Sequence, residues 1–212
     1  MDKKIITWND ITLDQFIKIQ DIVKSDMEDL DKTISIISII TGIENVDELP
    51  LTEFNKLVPL MSLLKTKIPQ IKLKKEYVLN GTKYIVTDKI RNLTTGQYID
   101  YTNICLNKIT LDNINVVVSY LLIPEGKKYN KDYDIDKVAE DVKMYMSMPD
   151  INAVADFFVN ALKKLLKTSV DYSIKQIIQG NEITFKEKVQ LTTILKKSLH
   201  KSLKQINKTC LE

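Results

Sequence analysis

From Asp150 to Gln179 the chain has no Pro and no Gly, and its apolar residues recur at steps of three and four: Ile151, Val154, Phe157, Phe158, Ala161, Leu162, Leu165, Leu166, Val170, Ile174, Ile177 and Ile178. That spacing predicts one long amphipathic helix at about 150–178, roughly 42 Å at 1.5 Å per residue. Asp150 stands as its N-cap after Pro149, and Gly180 stops the run. A rod of that length calls for apolar partners along all of it, and the other helices of the chain supply them.

The same periodicity places shorter helices before it. Ile5–Trp8 reads as an edge strand or an extended lead-in. Thr12 and Gln15 form a capping box ahead of Leu13, Phe16, Ile17, Ile19, Ile22 and Val23. A second helix runs Met27–Thr41 and ends at Gly42, and Asn45–Leu49 makes a single turn. Thr52 caps a third helix from Glu53 to about Lys67, kinked at Pro59. Thr94-Thr95-Gly96 opens another, with Tyr98, Ile99, Tyr101, Ile104, Cys105 and Leu106 as its apolar face. The almost wholly apolar run Leu111–Ile123 is a buried helix or a buried strand, and its length favours the helix. Asp132 or Asp134 starts a helix that Pro149 ends, and Thr184 or Phe185 opens the last one.

Only 71–86 carries a period of two. Asn80-Gly81 at its centre is a hairpin sequence, because both residues tolerate positive φ. A lone hairpin is marginal in water, so this one must pack on the helices or pair with a further strand, within the chain or from a neighbour. The expected fold is mainly α: a multi-helix bundle with one small β-hairpin. Residues 1–180 form a helical body, and 181–212 form a basic C-terminal helix packed on the body or swapped to a neighbour.

Composition changes this picture in one respect. The net charge of +3 is unevenly spread: residues 1–159 carry 20 basic and 24 acidic side chains, residues 160–212 carry 11 Lys and four acids. A basic end on an acidic body reads as a solvated helix face, as a docking surface for an acidic neighbour, or as a contact for nucleic acid. The basic residues are Lys186, Lys188, Lys196, Lys197, Lys201, Lys204 and Lys208, spread over several faces. The acidic counterpart is Asp26, Glu28, Asp29 and Asp31, placed where a helix start favours negative charge rather than as a metal site. Tyr77 and Tyr84 of the hairpin complete the candidate interaction surface. No secretory signal and no membrane-spanning stretch is expected, and Cys105 and Cys210 read as free thiols.

Chemistry is harder to find. Asp132-x-Asp134-x-Asp136 opens like a calcium loop, yet Lys137 and Lys143 stand where that loop needs Gly and a bidentate Glu. His200, the single histidine, is surrounded by lysines and reads as a surface residue without co-ligands. No phosphate-cradling glycine motif occurs. Residues 181–212 contain no Arg for base readout and only Phe185 for stacking, which leaves weak, non-specific phosphate contact. No catalytic, cofactor-binding or metal residue and no cofactor is expected, and the chain reads as non-enzymatic.

Four segments, Trp8–Phe16, Leu79–Tyr84, Gly96–Tyr101 and Leu122–Tyr129, taken in that order in a Lys-, Ile- and Asn-rich chain, resemble small virion or assembly proteins of tailed bacteriophages, in particular those of crAss-like phages. The resemblance covers roughly the first 160 residues. It implies a structural part in the tail, in the portal-proximal rings or among the packaged proteins, assembled in the host cytoplasm and located in the virion. The partners it implies are copies of the chain and other virion proteins. The alternatives are a tail-assembly chaperone or adaptor that leaves the finished particle, and a weak nucleic-acid binder acting through its Lys-rich end.

Overall fold

The computed structural model describes residues 6–89, 92–106, 110–129, 131–179 and 184–211. Among them are eight α-helices, three 3-10 stretches and one three-stranded antiparallel sheet. The mainly helical expectation with one small hairpin and one long helix holds.

The extended lead-in expected at 5–8 holds at Thr7, whose backbone is extended, and gives way at Trp8 to a 3-10 turn, Trp8–Asp10; Ile5 lies outside the described residues. Thr7 and Asp10 close a capping box that the sequence reading passed over. Helix α1 (Leu13–Lys24) starts at the Thr12/Gln15 capping box as expected, and Gln15 Nε2 also donates to the Ile39 carbonyl at 2.9 Å. Helix α2 (Asp29–Thr41) ends at Gly42, whose φ of 74° is the left-handed cap geometry. Another 3-10 turn, Val46–Glu48, precedes α3 (Leu51–Leu57). Pro50, not Thr52, stands at its N-cap position. Pro59 interrupts the α-helix as expected: Val58–Lys65 continues as a 3-10 helix, consistent with an α-helical bond that proline cannot make.

Strands β1 (Glu76–Leu79) and β2 (Thr82–Val86) form the hairpin around Asn80 (φ 48°) and Gly81 (φ 73°), so residues 71–75 lie outside it. The partner strand is internal: β3 (Leu122–Pro124) pairs antiparallel with β2, Ile85 opposite Ile123. The apolar run 111–123 is therefore divided. Its middle forms α5 (Ile114–Ser119) and its end forms β3. Before it, Thr94 and Gln97 close a capping box on α4 (Thr95–Leu106). Tyr98 and Ile99 are exposed, against the apolar face expected there, and the buried anchor is Gln97, whose Nε2 donates to Thr87 Oγ1 and the Tyr120 carbonyl.

Asp134 caps α6 (Ile135–Tyr145), which stops before Pro149 is reached. The long helix α7 (Met148–Gln179) takes Pro149 into its first turn, where a missing N–H costs nothing. Asp150 is not its N-cap. Ser147 accepts the Asp150 amide at 3.4 Å and donates its hydroxyl to Asp150 Oδ2 at 2.8 Å. The last helix, α8 (Phe185–Leu211), opens at Thr184, which exchanges hydrogen bonds with Glu187. Gly180 and Asn181, read as the break between the two helices, lie outside the described residues.

One core joins these elements: Trp8, Ile11, Leu13, Ile19, Ile36, Tyr84, Val118, Leu121, Leu122, Val142, Met146, Ile151, Val154 and Phe158 all belong to it. The Thr12–Ser147 bridge, with Met148 N–H donating to the Ile11 carbonyl at 2.9 Å, locks the start of α1 to the α6–α7 corner. Burial stops at Ala161. Beyond it no described side chain of α7 or of α8 is fully buried. The partners expected along the whole rod therefore serve mainly its first half; along the second, α8 makes the extensive contacts, and Leu166 still packs against the core.

Candidate interaction surface

The hairpin tyrosines do not belong to the surface. Tyr77 is 6% exposed and Tyr84 2%, because strand alternation turns both rings inward while Val78 and Ile85 face out. Tyr84 donates its hydroxyl to Asp141 Oδ2 on α6, and Asn80 Nδ2 reaches the other oxygen at 3.4 Å. Burial, then the Asp141 hydrogen bond, push the Tyr84 hydroxyl above the ordinary tyrosine range. Tyr129 is pushed the same way by burial and by its hydrogen bond to Asp100. These shifts keep the hydroxyls protonated as donors.

The most closely built polar group lies where the hairpin approach meets the α6–α7 corner. Lys74 Nζ stands 3.0 Å from Asp150 Oδ2 and 2.8 Å from Oδ1, and 5.4 Å from the centre of the Tyr77 ring. The Tyr77 hydroxyl is buried without a hydrogen bond of good geometry. Burial first, then the nearby Asp150 carboxylate, push it up to about 12. With Asn9, Tyr145 and Ser147 these groups line a cavity of about 360 Å³. Its cation already rests on its buried carboxylate, so the cluster fastens the sheet to α7. Sequence reading missed it because Lys74 and Asp150 are 76 residues apart.

The acidic and basic candidates fall on separate, exposed parts of the chain. Asp26, Glu28, Asp29 and Asp31 are all exposed at the start of α2, and Asp29 and Asp31 occupy its first turn, where the helix dipole favours them. Exposed Val23, Met27 and Leu30 stand among them, Leu30 at 60%.

Lys186, Lys196, Lys197, Lys201 and Lys204 are exposed on α8, while Lys188 donates to the Ile178 carbonyl at the end of α7, 2.9 Å away. Lys208 belongs to the same helix, with its side chain outside the described set, as are those of Cys105 and Cys210. The lysines lie on more than one face, as expected, but three of them share one. Ile194, Lys197, Lys201 and Lys204 follow one another at steps of three, four and three, one helical face. The opposite stripe, Lys188, Thr192, Leu195, Leu199 and Ser202, is the half-buried one. Five large apolar side chains stay exposed on the α7–α8 hairpin: Tyr172, Ile178, Val189, Leu191 and Ile194, the last at 61%.

The remaining chemical candidates have local structural roles. Asp134 accepts from the Asp136 amide and Asp132 from the Lys128 amide. His200 is exposed. Among the described residues no three His, Cys, Asp or Glu gather as metal ligands, and no helix is long and apolar enough to cross a membrane. No family model, no curated protein and no solved structure matches the chain.

Proposed function

We propose that this chain is a non-enzymatic structural protein that works by assembling with copies of itself and with other proteins of a tailed-phage virion. One observation carries the assembly reading. The α7–α8 hairpin has no fully buried side chain among the described residues after Ala161 and keeps five large apolar side chains in water on a strongly basic scaffold. A monomer gains nothing from such a surface, whereas a partner that covers it buries apolar area and neutralises charge. The virion context is supported by the resemblance of the four segments between Trp8 and Tyr129 to small phage tail and assembly proteins.

Peptide mass spectrometry of purified particles of a phage encoding the chain tests this. Recovery at a fixed copy number per particle supports a built-in component. Presence in the lysate with absence from the particle would make it an assembly chaperone. The weak nucleic-acid reading has the exposed α8 lysines in its favour, and its signature is DNA retention that falls steeply with salt.

A further inference from the structure

Resting on the assembly reading, we infer that the face of α8 around Ile194 docks on the start of α2 in a second copy of this chain. The two surfaces have the same design with opposite sign. On α8 an exposed apolar side chain, Ile194, shares its face with Lys197, Lys201 and Lys204. At the start of α2 an exposed apolar side chain, Leu30, stands among Glu28, Asp29 and Asp31, with Asp26 and exposed Met27 just before.

Neither surface is covered within its own molecule. The extensive contacts of α8 are with α7, and those of α2 are with α1 and the segments that follow it. An apolar middle rimmed by charge is the usual anatomy of a protein interface, with the rim setting orientation and encounter rate. The two patches are different surfaces of one chain, so the contact is heterologous and repeats into a ring or an open stack.

Charge reversal with complementation tests this. One variant carries Lys197→Glu, Lys201→Glu and Lys204→Glu. The other carries Asp26→Lys, Glu28→Lys and Asp31→Lys. All six side chains are exposed, and circular dichroism checks that each variant is folded. Sedimentation at a concentration where the wild type is multimeric is expected to show each variant alone as a monomer, self-association at least about tenfold weaker. An equimolar mixture of the two is expected to recover the multimer, because each reversed face then meets its complement.

A wild-type multimer that either variant reproduces unchanged overturns this contact while leaving assembly standing. A mixture that stays monomeric overturns it as well, and so does a Lys-reversed variant that loses DNA retention and keeps its self-association. A wild type monomeric at every concentration overturns this contact together with the self-assembly part of the proposed function. Should a reversed variant misfold, the single substitution Ile194→Asp on the exposed face tests the same contact. Weakened association supports the contact, and an unchanged multimer refutes it.

Discussion

Asp150 has three tasks at once: it completes the Ser147 cap, holds Lys74, and sets the charge beside Tyr77. Losing the hydrogen bond that the Ser147 hydroxyl donates to the Asp150 carboxylate costs about 1 kcal/mol, and the ion pair adds at most about 1 kcal/mol because Lys74 is half-exposed. Asp150→Ala is therefore expected to lower stability by roughly 1–2 kcal/mol, a drop of a few degrees in melting temperature. Tyr84→Phe should cost more than Tyr77→Phe. The first strips the buried Asp141 of its strong donor, about 1–3 kcal/mol, and the second removes a hydroxyl that has no such bond.

The pH dependence has a definite sign. The folded Tyr77 hydroxyl titrates at about 12 against an unfolded value of 10.0, so folding favours its neutral form. That contribution is complete below pH 10 and is lost as pH rises through about 12. Urea midpoints taken between about pH 9 and about pH 12 are expected to fall, and less so in Tyr77→Phe. The tyrosines were misplaced by sequence reading because both hairpin faces carry apolar residues. Alternation separates Tyr77 from Val78, but only the helix that covers one face decides which goes in. Asp150 was misassigned because Pro149 reads equally as a stop and as a first-turn residue.

Among the elements, two caps were legible in the sequence, while Thr52 and Asp150 were misread. Thr12/Gln15 and Gly42 do what their types predict, because a cap is decided within a few residues. The hairpin turn was equally local. Gly81 sits at φ 73°, so Gly81→Ala is expected to lower stability by about 1 kcal/mol through positive-φ strain alone, measurable as a shifted urea midpoint with unchanged slope. Strand β3 was hidden in the run 111–123, since its helix and its strand are both apolar and only pairing with β2 separates them.

Helix α8 contributes no fully buried side chain among the described residues. Truncation after Gln179 is therefore expected to leave the 6–161 core with a cooperative transition within a few degrees of the full chain. A loss of cooperativity would show that α8 belongs to the core.

For the whole molecule, charge polarity was legible from counting alone, and its meaning was not. Counting places 11 Lys beyond residue 160. Only the fold shows that they stand on a helical hairpin running beyond the core and keeping apolar side chains exposed. This surface suits burial against a neighbour, driven by apolar area and guided by charge. Its energetics carry a salt signature, because interactions between exposed charges are screened within about 10 Å at 0.1 M salt. The absolute molar mass of the wild-type chain, followed by light scattering across a dilution series at about 50 and 500 mM salt, tests this most directly. Self-assembly through opposed charges predicts a multimer at low salt that dissociates on dilution and dissociates more readily at high salt. A single mass of one chain at every concentration and both salts would contradict it.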